Sequence, residues 1–302
     1  MLSFKNFLKE DRLRQGLSHI RELPYERLGN FLRKKSINGT ITPKTDGAAG
    51  LVGYDENGFF TQSGRSDKVR HAGAYSDYTR QKRGENADLT ISSSYDAMHD
   101  SLQKNKELIS YLKKRHESGQ PSTIKGEFFL RGLAQPSEKG LKFVATSYNP
   151  NAMGSTGMFI MHHKLPENST HNPDEVSKLS NDEVKFDHDK VGNNNFSIDT
   201  SNEHQVYKTI NPEILKSRKA IDATKKAEEN EKLNNIRNSL ESKLKEHIPK
   251  LESRSWEVPG ETEGHVIHIE GDDETPSGDH AKIQSEKFAE YKANEKLNKQ
   301  GR

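Results

Sequence analysis

Ile41-Thr42-Pro43-Lys44-Thr45-Asp46-Gly47-Ala48-Ala49-Gly50-Leu51-Val52-Gly53-Tyr54 contains two apolar runs, and between them a single lysine and an Asp-Gly pair. Asp-Gly pairs are typical of tight turns, because glycine readily adopts positive φ. We therefore predict a strand, a bend and a second strand, with Lys44 at the bend. Burial or nearby cations would lower the pKa of such a lysine, and its neutral amine would be a nucleophile. The alternative is a solvated lysine before an ordinary turn.

The composition limits the size of the core and the classes of function. Of the 302 residues, 30% are hydrophobic and 30% are charged, and the apolar segments cluster at 37–63, 123–163 and 256–285. This pattern predicts one compact domain with polar insertions. The 47 basic and 45 acidic residues neither require nor exclude a nucleic-acid partner. The chain has no cysteine, which excludes disulfides and thiol catalysis, and no apolar run of about 18 residues that would span a membrane.

The spacing of apolar residues predicts the order of helices and strands. Residues 1–35 have a helical pattern, and the charged segment 211–248 repeats apolar residues at steps of three and four, as in a long helix. The other predicted elements are, in chain order, a hairpin with strands 51–54 and 59–62, a helix from 95 to about 118, and strands at 123–130, 141–144, 158–161, 264–269 and 281–283.

Two segments have almost no periodic apolar signal. Residues 64–95 are polar and basic and are predicted as a loop. Residues 165–205 are rich in Asn, Asp, Ser and His, so we expect a long loop or a partly disordered insertion. The predicted organisation is therefore an N-terminal helical element at 1–35, one main domain at 36–285 and a charged tail at 286–302.

Four polar signatures lie on or beside the predicted strands. They are Lys44-x-Asp46-Gly47, Gly126-Glu127, Glu263-Gly264 and Lys282. Each is common alone, but together they suit nucleotidyl transfer. Attack by a lysine amine on an α-phosphorus requires a nucleophile and cations for the phosphate charge. It also requires one carboxylate for a divalent metal and another as acceptor for ribose hydroxyls.

This set of motifs resembles the covalent lysine nucleotidyltransferase superfamily of ATP-dependent DNA ligases, RNA ligases and RNA capping enzymes. The matching segments are, in chain order, Lys44-Thr45-Asp46-Gly47 (motif I), Gln62-Ser63-Gly64-Arg65-Ser66, Ile124-Lys125-Gly126-Glu127-Phe128 (motif III), Phe159-Ile160-Met161-His162 (motif IIIa), Glu263-Gly264-His265-Val266-Ile267-His268 (motif IV) and Lys282-Ile283-Gln284 (motif V). The resemblance implies an α+β fold, an antiparallel-sheet adenylation domain with helical and disordered insertions.

The resemblance also implies a role for each matching residue, with ATP as donor and Mg²⁺ or Mn²⁺ as cofactor. Lys44 would become adenylylated, and Lys282 would contact the α-phosphate. The nucleotide-binding and metal-binding residues would be Asp46, Arg65 for ribose or phosphate, Glu127 for ribose hydroxyls, Phe159 for stacking on the base, and Glu263 for the metal.

Three departures from the motifs favour an RNA-ligase-like enzyme or a stand-alone nucleotidyltransferase domain. Ala49 stands where many DNA ligases have arginine, Gln284 replaces the second lysine of motif V, and we expect no OB-fold after motif V. The acceptor would be a nucleic-acid 5′-phosphate in the host cytoplasm. The alternative is a phage nucleotide-binding or structural protein that retains the fold without end-joining. RNA or DNA as acceptor, a protein acceptor, another nucleotide donor and the oligomeric state all remain open.

Two further features carry weaker predictions. Residues 1–10 end in Leu8-Lys9-Glu10 and resemble capsid-targeting leaders of T-even-like tailed phages, which would place the protein in the virion; the alternative is an ordinary N-terminal helix. The sequence also contains four histidines of a kind that binds zinc, namely His162, His163, His265 and His268. We expect the last two on one face of a strand, and we disfavour zinc because no third ligand is fixed nearby.

Overall fold

The computed structural model describes most of the chain between Ser18 and Glu290 and shows an α+β fold. The described residues are 18–44, 47–64, 69–72, 74–133, 135–137, 140–143, 146–163, 165–189, 195–219, 222–248, 263–271, 278–286, 288–290 and 294. The possible leader at 1–10 and most of the charged tail lie outside them. In the described part of the chain, no helix is long and apolar enough to cross a membrane.

The strands of this part form three sheets. They are β1 (Ser36–Pro43), β2 (Ala48–Asp55), β3 (Gly58–Ser63), β4 (Thr123–Leu130), β5 (Gln135–Ser137), β6 (Gly140–Phe143), β7 (Thr146–Tyr148), β8 (Gly157–Met161), β9 (Val184–His188), β10 (Asn195–Asp199), β11 (Gly264–Ile269) and β12 (Asp279–Gln284).

The α-helices are α1 (Tyr25–Phe31), α2 (Tyr75–Arg83), α3 (Thr90–Gln103), α4 (Lys106–Glu117), α5 (Pro173–Ser177), α6 (Ser201–Thr209), α7 (Pro212–Lys216) and α8 (Ala223–Lys245). Short 3₁₀ turns lie at Ile20–Glu22, Arg131–Leu133, Pro150–Ala152 and Pro166–Asn168.

Sheet A has the strand order β10-β1-β11-β12, and every neighbouring pair is antiparallel. Side chains alternate between the two faces of a strand. The face that carries Ile41 and Ile267 is buried in a core with α8 and the segment 20–32. The opposite face carries Thr42, His268 and Lys282, as their register across β1, β11 and β12 requires.

Sheet B has the order β3-β2-β4-β8-β9. Its pairs are antiparallel except β8–β9, which is parallel, so the expectation of antiparallel sheets fails at that pair. The face with Val52, Phe128 and Phe159 packs in a second core with α3 and α4. The opposite face carries Glu127 and Ile160, which are paired across β4 and β8. Sheet C, with order β5-β6-β7, contains the strand expected near 141–144.

The strands on both sides of Lys44 and the hairpin that the sequence predicts are confirmed, while residues 45 and 46 of the predicted bend lie outside the described residues. β1 ends at Pro43 and β2 begins at Ala48, so Lys44 lies where the chain passes from sheet A to sheet B. β2 and β3 form the hairpin, and Gly58 in its turn has a φ of 109°, a value that favours glycine. The strands predicted at 264–269 and 281–283 are also confirmed.

The predicted loop over 64–95 is wrong, because α2 and the start of α3 lie within it. The N-terminal end of α2 is capped from a distance: the Asp96 carboxylate accepts from the N–H groups of Tyr75 and Ser76 at 2.6 and 2.9 Å. Local sequence does not reveal such a cap. The helix predicted from 95 to 118 is two helices, with Asn105 between them accepting from the Leu108 N–H at 3.0 Å.

The prediction of a loop over 165–205 is also wrong. This segment contains α5, β9, β10 and most of α6. Each strand has only two buried apolar residues, Val184 and Phe186 in β9 and Phe196 and Ile198 in β10. Such short alternation is a weak signal beside so many polar residues, and the strands form because β8 and β1 supply hydrogen-bonding partners.

The single helix predicted over 211–248 is two helices, α7 and α8, with a break at 217–222. Side-chain bonds stabilise the break: the Ser217 hydroxyl donates to Asp222 at 2.6 Å, and Lys226 donates to the Ser217 carbonyl at 2.9 Å. The predicted apolar stripe is confirmed within α8, whose residues Leu233, Ile236, Leu240 and Leu244 are buried.

Candidate functional site at the junction of two sheets

Lys44 is held at the junction by its backbone and its side chain. Its N–H donates to the Gly264 carbonyl at 2.8 Å, which extends the pairing of β1 with β11 by one residue. Its Nζ lies 2.5 Å from Oε2 of Glu263, and the two side chains are only 22% and 10% exposed. A half-buried, charge-assisted contact of this length fixes the direction of the Lys44 side chain.

Glu127 approaches the same bend from β4. Its Oε2 accepts from the Gly47 N–H at 2.7 Å. A Cβ at Gly47 would lie 2.8 Å from the Phe128 carbonyl oxygen and 3.0 Å from Glu127 Cβ, so this close approach requires glycine. Burial alone would raise the pKa of Glu127. His162, Lys44 and the Gly47 N–H outweigh burial and hold that pKa below its usual value.

Lys282 lies next to the Lys44–Glu263 pair on β12, the last strand of sheet A. Burial lowers the pKa of Lys282, the charge of Lys44 lowers it further, and Glu263 opposes both. The N–H of Lys282 donates to the Ser18 carbonyl at 3.0 Å, so the edge of β12 is covered at this point. The structure thus brings together Lys44, Lys282 and Glu263, with Glu127 on the other side of the bend.

The polar faces of the two sheets lie close to each other. His268 on sheet A is within 3.2 Å of the Thr42 hydroxyl, and burial lowers the pKa of His268 to about 4. The charge of Asp189, which follows β9 of sheet B, acts in the opposite direction on His268. The polar faces of the two sheets therefore interact at two places, through Lys44 with Glu127 and through His268 with Asp189.

Phe159 lies on the other side of sheet B. It is fully buried, and its ring centroid is 4.9 Å from that of Phe128 and 5.5 Å from that of Phe186. The neighbouring residue Ile160, paired with Glu127, points to the side of the carboxylate. The structure therefore does not bring Phe159 to the side of the sheet where Glu127 lies, and stacking on a base stays a prediction.

Asp46 and Arg65 lie outside the described residues, so their predicted roles stay predictions as well.

Sequence reasoning missed Asp189, which accepts from the backbone N–H of His163 and contacts the rings of His162 and His163. The available signal was the alternation around Val184 and Phe186, which places Lys185, Asp187 and Asp189 on one face of a strand.

Glu263, which the sequence predicts as the metal ligand, pairs with Lys44 in the structure. Within the described residues, no group of three or more His, Asp or Glu side chains is placed to hold a metal ion. Mg²⁺ commonly binds through one or two carboxylates together with substrate phosphates, so binding of a metal by Glu263 stays a prediction. The expectation that His265 and His268 share a face is wrong, because they are three positions apart on β11 and side chains alternate between the faces.

No protein-family model matches this chain, and no curated protein matches it.

Proposed function

We propose that this protein is an ATP-dependent nucleotidyltransferase of the RNA-ligase type. Lys44 carries AMP as a covalent intermediate and passes it to a nucleic-acid 5′-phosphate. The observation that supports the proposal most is the Lys44–Glu263 contact of 2.5 Å beside Lys282, at the point where two sheets meet. The protein would act in the host cytoplasm, or in the virion if residues 1–10 are a targeting leader.

The covalent step uses the amine of Lys44 as nucleophile. Pairing with the Glu263 carboxylate favours the protonated amine, so the amine must first give a proton to water. The Nζ lone pair then forms a bond to the α-phosphorus of ATP, the bond from that phosphorus to the bridging oxygen breaks, and pyrophosphate leaves with the electron pair. The new phosphoramidate nitrogen loses its remaining extra proton to water. Mg²⁺ or Mn²⁺, held by Glu263 and the phosphates, would neutralise phosphate charge.

Lys282 and Glu127 bind the nucleotide on either side of Lys44. Lys282 supplies a second cation, which suits the negative charge on the α-phosphate as the bond forms. Glu127 is ionised and has lone pairs left on both oxygens, so it can accept from ribose hydroxyls while it still accepts from Gly47. The two roles differ: loss of Lys282 slows the chemical step, whereas loss of Glu127 weakens binding.

The alternative is a phage protein that binds nucleotide, or serves a structural role, without forming the covalent bond. The Lys44–Glu263 ion pair favours it in one respect, since it keeps the amine protonated. Formation of a covalent bond between AMP and Lys44 is therefore the test that distinguishes the two functions.

Incubation with α-³²P-labelled ATP and magnesium tests the proposal. We expect a label that survives denaturation and has the properties of a phosphoramidate, stable to base and labile to acid. Lys44→Arg should abolish it, because a guanidinium keeps its proton and cannot attack phosphorus. Lys232→Ala is the matched control, because Lys232 pairs with Glu229 on α8. We expect the Lys232→Ala protein to be labelled to the same extent as wild type.

Three outcomes separate the two functions. Transfer of the label to a 5′-phosphorylated RNA or DNA oligonucleotide supports the ligase-type reaction and identifies the acceptor. Nucleotide binding without label supports the alternative. Wild-type protein that stays unlabelled with every nucleoside triphosphate, in magnesium and in manganese, would show that the covalent mechanism is wrong.

A further inference from the structure

Three charged residues form a row across sheet B, on the face that carries Glu127 and Ile160. Glu127 lies on β4, His162 directly follows β8, and Asp189 directly follows β9. Glu127 is paired with Ile160, and Ile160 with Asp187. Two residues further along each of the last two strands, His162 and Asp189 therefore point to the same face as Glu127.

The side chains of this row are largely buried and interact with one another. His162 Nδ1 lies 3.0 Å from Asp189 Oδ2, and its Nε2 lies 3.6 Å from Glu127 Oε1, which is an ion pair without a hydrogen bond. Asp189 Oδ1 accepts from the N–H of His163 at 2.6 Å. The side chains of Glu127 and Asp189 are 15% and 7% exposed, so the charges interact with little screening by solvent.

We propose that His162 is a positioning residue for the nucleotide, and that it acts as a fixed cation which holds Glu127 ionised and correctly oriented. Asp189 in turn holds His162. This inference rests on the proposed function, because it assigns to Glu127 the task of binding ribose hydroxyls.

The electrostatics of the row agree with this geometry. Burial alone would lower the pKa of His162, but Asp189 and Glu127 outweigh it and raise that pKa to about 10. Burial alone would raise the pKa of Asp189, yet the bonds to His162 and His163 bring it below its usual value. An imidazolium that keeps its proton at neutral pH is unsuited to act as a general base, which leaves charge and orientation as its contribution.

The other titratable groups around His162 do not cancel this effect. His163 adjoins it in sequence and shares Asp189, and His268 approaches from sheet A. Lys44 acts on Glu127 in the same sense as His162 does, since both lower the pKa of that carboxylate. Loss of His162 would therefore leave Lys44 and the Gly47 N–H to oppose the burial of Glu127.

The row also reaches the nucleophile. Glu127 contacts His162 through Oε1 and the Gly47 N–H through Oε2, so its carboxylate bridges sheet B and the bend. Gly47 is three residues from Lys44 in the chain. A misplaced Glu127 would thus disturb both the acceptor for ribose and the support of the bend.

Histidine NMR provides a test that needs no activity. In ¹³C-histidine-labelled protein, we expect the His162 resonance, assigned by its loss in His162→Gln, to stay in the protonated form up to about pH 10. In Glu127→Gln the same resonance should titrate at lower pH than in wild type. Titration of His162 near pH 6.5 in wild-type protein would overturn the inference, because the imidazole would then be neutral at physiological pH.

Nucleotide affinity and labelling kinetics provide the second test. His162→Gln should raise the KM for ATP about 10- to 100-fold and change kcat less, because Glu127 loses the charge that holds it. The acid limb of ATP affinity should move up by about one to three pH units. His163→Gln is the matched control: it also removes a ring from Asp189 but does not contact Glu127, so both effects should be much smaller.

His162→Lys, which restores a cation, should recover part of the affinity, whereas a residue with a merely structural role would gain nothing from lysine. Unchanged affinity and an unchanged pH profile in His162→Gln would overturn the inference. Wild-type protein that binds ATP but forms no covalent label would refute the proposed covalent reaction, and reduced ATP affinity in His162→Gln would still support the positioning role.

Discussion

The Glu263 carboxylate lies 2.5 Å from the amine of Lys44, although 219 positions separate the two residues in the chain. The contact exists because β11 pairs with β1 and Glu263 directly precedes β11. It therefore depends on the register of two strands, and a change in that register would separate the nucleophile from its carboxylate.

Glu263 and Glu127 should respond differently to loss of charge. We expect Glu263→Gln to lose labelling by ATP at every magnesium concentration, because one carboxylate anchors the ion. Glu127→Gln should mainly weaken ATP affinity, by about 10- to 100-fold, as loss of a charged hydrogen-bond acceptor does. Labelling rates across magnesium and ATP titrations measure both effects.

Glu229→Gln is the control for these variants, since Glu229 pairs with Lys232 on α8 and contacts none of the site residues in the described contacts. Equal and minor effects of Glu263→Gln and Glu127→Gln would refute the division of roles between the two carboxylates.

Lys282 should matter for the rate more than for binding. Lys282→Met removes the cation next to Lys44, and we expect the labelling rate at saturating ATP to fall about 10²- to 10³-fold, with a smaller change in KM. Lys282→Arg should keep part of the rate because it keeps the charge. A Lys282→Met protein with the wild-type rate would exclude Lys282 from the chemical step.

Because of the row of Glu127, His162 and Asp189, we expect the free energy of unfolding to fall both in acid and in alkali. The folded-state pKa of His162 is raised to about 10, so its stabilising contribution is complete below about pH 6.5 and is lost as the pH rises towards 10. The pKa of Asp189 is lowered, so its contribution is present above about pH 4 and is lost in acid.

Urea unfolding between pH 4 and pH 10 measures this contribution as the difference in free energy between wild type and His162→Gln. We expect the difference to be largest between about pH 4.5 and 6.5 and to shrink steadily above that range. A difference that grows with pH would mean that His162 is neutral in the folded protein.

The packing of α8 on sheet A should contribute much of the stability of the core that these two elements share. Leu240 is fully buried in the core that contains Ile41 and Ile267, so Leu240→Ala should cost about 2–5 kcal/mol of unfolding free energy. Asn235→Ala is the control on the same helix, where the side chain is exposed, and its effect should stay within about 0.5 kcal/mol. Equal midpoints in urea would contradict the assigned packing.

The sequence predicted the parts of the site that depend on strong local signals. The strands on both sides of Lys44 and the strands β11 and β12 follow from apolar runs and turn residues, and the structure confirms them. The sequence could not reveal that Asp189 lies near the other site residues, because β9 forms only through its parallel pairing with β8. Nor could it assign Phe159 to a face, since a shift of one residue exchanges the two faces of a strand.

The helices show the same limit. The cap of α2 comes from Asp96, which lies 21 and 20 residues beyond the two N–H groups that it accepts from. The break between α7 and α8 depends on side-chain bonds of Ser217. Both features arise from contacts that periodicity does not encode, so apolar spacing alone gives a loop in the first case and one long helix in the second.

The strand order of sheet A has a consequence for synthesis of the chain. One edge of β1 stays unpaired until β11, which begins at Gly264, has been synthesised, and β12, which carries Lys282, follows later still. Strands β2, β3, β4, β8 and β9 of sheet B all end by His188, so that sheet can assemble earlier on the ribosome. A nascent or truncated chain that ends before Glu263 carries Lys44 without its carboxylate and without Lys282, and only a chain that extends through Lys282 can hold all three residues.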